Sequence, residues 1–543
     1  MRKTWIPWSG TLLAALNLGA CGGSSSPVAP TLYTVGGTIT GLTVGGLSLA
    51  NGTDKATVAV NATHFTMPTA LAANSSYAVQ VSAQPSGLNC SVGGSAGVVP
   101  QANITNIQIS CIVSWTWMAG TNTANVAGNY GTRGTPAADT MPGARAGGVT
   151  WTDPMGNLWL FGGAGYDSTG TVGLLNDLWA YSPAIQQWTW MSGSKAVNSI
   201  GIYGTLRSGA AGNAPGARGG AVSWTDTAGN FWLFGGSGYD SLGQSSGDPH
   251  AGNELNDLWM YSPTTQQWSW MSGSNAIDAS TILGSQGLAA AGNVPGARTD
   301  AVSWSDSAGN LWMFGGTASV TTLGFLNELW MYSPSTGLWT WEGGENQPAG
   351  VYGTQGIAAA GNIPPARVSM ASWTDQLGNF WLFGGIGVGA ELNDLWMFSP
   401  ATRQWTWISG SELPKCCTNP IVGVYGTENV AAATNVPGAR DSAASWSDSA
   451  GNLWLFGGSA GSGASTINFF NDLWMFSPTT KQWTWVSGSA TTGAPGTYGM
   501  LGMAASANAP GARAGSAAWT DAAGNHWLYG GGSLNAYSDL WRF

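Results

Sequence analysis

From residue 114 onward, apolar and polar positions recur in a fixed order, and that order describes short β-strands joined by turns. Each unit opens on PGAR or a close variant, with arginine at 145, 218, 298, 367, 440 and 513. A strand follows and in most units ends in Trp-Thr-Asp or Trp-Ser-Asp. Next come Gly-Asn and an apolar run such as Leu158-Trp159-Leu160-Phe161, closed by Gly162-Gly163. After a variable gap stand Asn176-Asp177-Leu178-Trp179, Tyr181-Ser182-Pro183 and Gln187-Trp188-Thr189-Trp190. Trp159 and Phe161 point to one side of their strand, Leu158 and Leu160 to the other, so this strand has to be buried on both faces. A single unit cannot do that; stacked neighbours can. Successive arginines are 73, 80, 69, 73 and 73 residues apart, so insertions are accommodated while the unit is kept.

Tryptophan gives the number of units and closes them. A unit offers one tryptophan on each of its first three strands and two on its fourth. Six units need thirty, and the chain has 32, two of which are Trp5 and Trp8 near the N-terminus. The last unit stops at Asp539-Leu540-Trp541-Arg542-Phe543, before any fourth strand, while Ser114-Trp115-Thr116-Trp117-Met118 supplies the missing pair from the other end. A ring closed by its own two ends uses that permutation; a linear array has no use for it. The expected fold is all-β: a six-bladed propeller over 114–543, with an N-terminal strand completing the last blade and a small β-rich domain ahead of it.

A double glycine, then Tyr or Phe and Trp with six residues between them, resembles the kelch repeat. The pattern is Gly162-Gly163, Tyr181 and Trp188, repeated as Gly235-Gly236, Tyr261 and Trp268, and continued by Tyr332/Trp339, Phe398/Trp405 and Phe476/Trp483. In the sixth unit Gly530-Gly531 goes with Phe543, and Trp115 supplies the tryptophan. The resemblance implies the propeller fold. It leaves function open, because kelch propellers serve as binding platforms, lectin-like modules and a few enzymes.

Residues 31–113 alternate short Val/Thr/Ile runs with Gly and Asn turns, as in Tyr77-Ala78-Val79-Gln80-Val81, and predict a small antiparallel β-domain that spaces the main body from its anchor. Ahead of it, Arg2 and Lys3 precede an apolar stretch to Ala20 that is too short to span a membrane and has the flanks of an export signal. Leu18-Gly19-Ala20-Cys21 resembles the lipobox of bacterial lipoproteins, which implies removal of 1–20, acylation (palmitate included) of Cys21, and a tether over 21–30. Gly22 rather than Asp after that cysteine points to the outer membrane. Export permits disulfides; Cys90 and Cys111 are expected to pair, while Cys416-Cys417 could form a vicinal bond or pair between chains. The cysteine and histidine spacings match no zinc site.

Composition narrows the function classes. Charged residues make up 8% of the chain, against about 25% in typical domains. The net charge of −10 argues against nucleic acid, which requires a basic footprint. Of the three histidines, His64 belongs to the small N-terminal domain, His250 to the longest insertion and His526 to a blade position held elsewhere by Leu or Phe, which argues against the copper-radical centre of galactose oxidase, a kelch relative that needs two His besides Tyr and a Tyr–Cys crosslink. No cofactor is implied.

Candidate chemistry falls into two sets. The arginines 145, 218, 298, 367, 440 and 513 could ring the channel mouth and grip an anion. Their once-per-blade repetition fits better a structural pairing with Asp177, Asp257, Glu328, Asp394, Asp472 and Asp539. Residues that break the repeat are better candidates for a ligand. Tyr166-Asp167 and Tyr239-Asp240 follow the double glycine in blades one and two, and His250 lies in the longest insertion. Asp300 and Asp441 stand two residues and one residue after the repeat arginine, and Glu342 replaces Met, Ile or Val after a Trp pair. The second-to-third loops and the long fourth-to-first connections emerge on one face, the expected recognition surface. The function this pattern favours is a non-catalytic envelope lipoprotein that binds a protein or a glycan through that face. Two alternatives are a carbohydrate-active epimerase or lyase using channel-mouth Arg and Asp, and a structural envelope spacer.

Overall fold

The structure is a computed structural model that describes residues 30–543 except 43–44, 86, 244–252, 319–323, 345–348, 413–421, 462–466 and 533–534. Cys21, His250, Cys416 and Cys417 lie outside the described residues. Among the described residues no helix is long and apolar enough to cross a membrane.

Blade one consists of Val149–Thr152, Leu158–Tyr166, Val172–Ser182 and Gln187–Ser192, paired antiparallel in that order from the inside outward. Five further four-stranded sheets repeat this order. Their innermost strands are Val222–Thr225, Val302–Ser305, Ala371–Thr374, Ala444–Ser447 and Ala517–Thr520. Each innermost strand packs on the next, and that of blade one also packs on Ala517–Thr520, so the cycle is closed. The last sheet takes its outer strand, Thr116–Ala119, from the N-terminal side, with Trp117 opposite Trp541.

The doubly apolar second strands lie between blades. Trp151, Trp159 and Phe161 of blade one share a cluster with Phe231, Leu233 and Trp259 of blade two. Trp151 stacks on Phe231 with ring centroids 5.3 Å apart, and its indole N–H donates to the Trp232 carbonyl at 3.2 Å. Each such side chain contributes about 1.5–3 kcal/mol of burial, available once two blades meet.

The fourth-to-first connections do more than join blades. The connection entering blade two lies against that blade's outer strand, with Arg207 N–H donating to Trp270 O at 2.6 Å and Ala210 bridging Trp268. Gly287 with Trp341 and Gly356 with Trp407 repeat the contact at 2.8 Å. Edge hydrogen-bonding groups that would otherwise face solvent are thereby covered, which suppresses edge-to-edge pairing.

The N-terminal domain differs from the antiparallel expectation in one pairing. Ile104–Val113 is antiparallel to Leu88–Gly93 but parallel to Val35–Thr40. Those two parallel strands come from opposite ends of the domain, so no hairpin forces them antiparallel. Cys90 and Cys111 face each other across the antiparallel pair and form a disulfide. The domain's buried residues continue into Trp115, Trp446 and Phe543 of the propeller as one apolar cluster.

Candidate functional site

The six repeat arginines are buried. In blade two, Arg218 Nη1 and Nη2 donate to Asp257 Oδ1 and Oδ2 at 2.6 and 2.8 Å. Nη1 also donates to the Gly235 carbonyl of the double glycine at 2.9 Å, and Nε to Gly216 O at 3.0 Å. Tyr203 of Tyr-Gly-Thr donates its hydroxyl to Asp257 Oδ2 at 2.6 Å, and Trp259 Nε1 donates to the same oxygen at 2.7 Å. Burial, reinforced by the Asp257 charge, pushes the Tyr203 hydroxyl well above its ordinary range. Burial also works against the Arg218 charge, but Asp257 more than offsets it and the guanidinium stays protonated. The same cluster recurs around Arg145–Asp177, Arg367–Asp394, Arg440–Asp472 and Arg513–Asp539, with Arg298–Glu328 as a variant. Exposures of 0–3% on both partners take these arginines away from any ligand.

Two residues after each arginine the chain makes a second closed structure. Gly147, Gly220, Asp300, Ser369, Ser442 and Gly515 all have φ between 52° and 67°. Each donates its N–H to the carbonyl of its counterpart in the preceding blade, from Gly220 N to Gly147 O (3.1 Å) around to Gly147 N to Gly515 O (2.9 Å). This six-membered hydrogen-bonded ring lies just ahead of the innermost strands, at the long-loop end of the channel. A Cβ at Gly220 would stand 2.3 Å from Thr299 Oγ1 and 2.5 Å from Asp300 Oδ1, so a side chain here would have to push both groups aside.

Beyond the ring, a channel of about 440 Å³ is lined by the residues flanking each inner tryptophan, such as Thr150 and Thr152, Ser223 and Thr225, Ser303 and Ser305. Several of these hydroxyls donate to the preceding blade: Ser223 Oγ to Thr150 O at 3.2 Å, Ser303 Oγ to Ser223 O at 2.9 Å, Thr150 Oγ1 to Ala518 O at 3.1 Å. At the other end each blade's Asp caps its own turn. Asp153 Oδ1 accepts from Met155 and Asn157 N–H, and Oδ2 from Asn157 Nδ2 and Trp159 Nε1. The channel wall is therefore polar, uncharged and hydrogen-bonded within the protein.

The residues that break the repeat separate into two groups. Asp167 and Asp240, expected as ligand-binding candidates, are 3% and 0% exposed and cap their own turns. Asp167 Oδ1 accepts from Thr169 N, Thr169 Oγ1 and Thr171 N at 2.8, 2.8 and 2.9 Å. Burial opposes its charge, but these hydrogen bonds hold its carboxyl below the usual range. Asp240 Oδ1 accepts from Leu242 N at 2.8 Å. Asp300 and Asp441 lie in the segments that form the ring. Asp300 is a ring member in a backbone conformation that side chains rarely adopt, and Asp441 adjoins ring residue Ser442. Asp441 Oδ1 accepts from Ser459 Oγ at 3.0 Å; burial, with the nearby Glu391 charge, raises its carboxyl above the usual range. Tyr166 and Tyr239 are half-buried at the second-to-third loops of blades one and two.

Sequence reasoning paired arginine with carboxylate but missed the tyrosine and tryptophan that complete each cluster. The recurrence of Tyr-Gly once per connection was the available signal. It also missed the channel hydroxyls, whose signal was Ser or Thr on both sides of the inner tryptophan. The connections it assigned to recognition are in large part edge covers.

Residues 275–495 match a family model described as the KLHDC2/KLHL20/DRC7 Kelch-repeats domain. That span takes in blades three to five and supports the kelch-type character of the repeats. No curated protein matches the chain.

Proposed function

We propose that this chain is a non-catalytic recognition module, exported and held by a lipid on Cys21 at a bacterial cell envelope, outer membrane included. Its partner, a protein or a glycan, docks on the long-loop mouth of the propeller. One observation carries the reading: the charged groups repeated in every blade are taken up inside their own blade. The residues that differ among blades at that end include Asp300 and Asp441 in the ring segments and Tyr166 and Tyr239 in blades one and two. A rigid, symmetric scaffold with asymmetric residues at one end suits recognition. The arginines needed by the epimerase or lyase alternative are buried in ion pairs, which counts against it.

The test is to express the full chain in a bacterial host and photo-crosslink it from residue 239 or 300. Recovery of a defined protein or glycan adduct, lost in Tyr166→Ala with Asp441→Ala and released from membranes by Cys21→Ala, supports the proposal. Adducts that survive both mouth substitutions overturn the docking face, and a Cys21→Ala chain that stays membrane-bound overturns the anchor.

A further inference from the structure

The N-terminal domain joins the propeller at the end opposite the mouth. Each first strand runs from the hydrogen-bonded ring to an Asp-capped turn, so each fourth strand runs from the short-loop end back toward the mouth. Thr116–Ala119, the fourth strand of the last blade, therefore takes the chain into the propeller at the short-loop end. Between it and the domain strand Ile104–Val113 stand Ser114 and Trp115, 7% and 3% exposed. The domain rests against that same end. Ser114 N–H donates to Gly87 O at 3.3 Å, and a Cβ at Gly87 would stand 2.5 Å from Phe543 Cε1, so the domain's backbone lies directly on that ring. Phe543 in turn pairs with His526, just beyond the Asp521 turn, through hydrogen bonds of 2.7 and 3.0 Å. Gln84, Leu88 and Asn89 of the domain share a seam with Thr116 and Asn525 of the propeller.

The chain enters the domain at its far end. Val35–Thr40 runs parallel to Ile104–Val113, with Val35 opposite Ile104 and Thr40 opposite Ser110. Thr34 is fixed there: its N–H donates to Asn103 Oδ1 and its carbonyl accepts from Ile104 N–H, both at 2.9 Å. The ten residues of the exit strand put Ile104 about 30 Å from Val113. A hairpin would bring entry and exit to one end; the parallel pairing separates them by the length of the domain. The body between them is braced. The Cys90–Cys111 disulfide ties the exit strand to its neighbour, and Gln84 holds Cys90 N–H and O at 2.8 and 2.9 Å. The domain's apolar core runs unbroken into Trp115 and Phe543. Domains on polar linkers move relative to one another by default; a continuous apolar junction removes that freedom.

We infer that the N-terminal domain is a rigid stalk that holds the short-loop end toward the anchoring surface and turns the mouth away from it, so that a partner reaches the mouth from the aqueous side. This rests on the proposed anchor at Cys21 and on the proposed docking face. Fully extended, the nine residues 21–29 span about 30 Å. The stalk strand and a six-residue fourth strand, set end to end, measure about 50 Å. The tether is therefore too short to let the particle turn over and press its mouth on the surface that anchors it.

The test places the lipidated full chain in vesicles of phosphatidylethanolamine and phosphatidylglycerol that carry an acceptor-labelled lipid. A fluorescent amino acid is encoded at one exposed position at a time. Gln101 lies at the far end of the stalk, Met155 and Leu377 in short-loop turns of blades one and four, and Leu242 in the second-to-third loop of blade two. Energy transfer to the lipid should be strongest from 101, weaker from 155 and 377, and severalfold weaker again from 242. Transfer from 242 that equals or exceeds that from 155 and 377 overturns the inference and leaves the anchor standing. Equal transfer from 101 and 377 means that the stalk lies flat on the bilayer, and overturns it as well. A chain that fails to bind the vesicles, or a Cys21→Ala chain that binds them like wild type, overturns the anchor reading and the orientation built on it.

Discussion

Arg298 meets Glu328 through one nitrogen, Nη2, at 2.5 Å, whereas each of the other five repeat arginines grips an aspartate with two. Trp330 Nε1 donates to the same Glu328 oxygen at 2.9 Å. Blade three also has Leu283 at the Tyr203 position: Ile282 bridges Val294 as Ile202 bridges Ala214. The longer acid and the missing hydroxyl therefore occur in the same blade, and the added methylene lets the carboxylate reach Arg298 without a tyrosine to hold it.

That pairing predicts coupling. Glu328→Asp alone should destabilise the chain by about 1–3 kcal/mol, because the shortened carboxylate leaves buried donors unmet. Leu283→Tyr alone places a buried hydroxyl beside an acid of the wrong length. Together they rebuild the arrangement of the other blades, and a double-mutant cycle by urea unfolding should show a favourable coupling of about 1–2 kcal/mol. Additive effects would mean that the two differences are unrelated.

The standard clusters predict an order of severity. Arg218→Met strands the Asp257 carboxylate in a dry interior and should cost about 3–5 kcal/mol. Tyr203→Phe removes one of several donors to that carboxylate and should cost about 1–2 kcal/mol. Denaturant midpoints of the two variants test this; a Tyr203→Phe chain as unstable as Arg218→Met would show that the tyrosine is the main support of the pair.

The architecture was legible because its determinants are periodic: both faces of Leu158–Phe161 are apolar, and Trp115 and Trp117 stand in for an outer strand that the C-terminus lacks. The Arg–Asp pairing was legible for the same reason, as equal copy number suggests mutual neutralisation. The ring through Gly147, Gly220, Asp300, Ser369, Ser442 and Gly515 was not, since three of its members carry side chains and hide a position that elsewhere is glycine. The turn-capping of Asp167 and Asp240 was not legible, because a carboxylate that caps its own turn and one that awaits a ligand are spelled alike. Glu342 stood out in the sequence, but its pairing with Arg403 of blade four depends on how the blades pack.

His526 ties stability to acidity. It replaces the Leu or Phe that begins the second strand elsewhere, is 2% exposed, and lies between Trp446, Trp454 and Phe543. Burial pushes its pKa from 6.5 down to about 3. Below pH 6.5 the unfolded chain takes up a proton that the folded chain refuses, so stability falls progressively toward pH 3 and is unaffected above pH 6.5. At pH 5 the loss should be about 2 kcal/mol. His526→Phe should flatten that part of the stability–pH curve, leaving only the carboxylate contribution; an unchanged slope between pH 6.5 and 5 would show that the ring protonates in the folded state.

The hydrogen-bonded ring sets stability against recognition at single positions. Asp300 and Ser369 hold φ of 56° and 57° with a Cβ in place, a conformation that costs about 1–2 kcal/mol relative to glycine. Part of that gain is returned on substitution, because glycine is freer in the unfolded chain. Asp300→Gly and Ser369→Gly should therefore each stabilise modestly, by about 0.5–1 kcal/mol. Gly220→Ala should do the reverse and more strongly, because its new methyl would meet Thr299 Oγ1 and Asp300 Oδ1. Thermal unfolding of the three variants checks the signs. If Asp300 is kept for a partner at the mouth, Asp300→Gly should be more stable and bind less of the crosslinked partner, while Ser369→Gly should be more stable with binding intact. An Asp300→Gly chain that loses stability would instead place the aspartate in the ring's own support and remove it from the docking face.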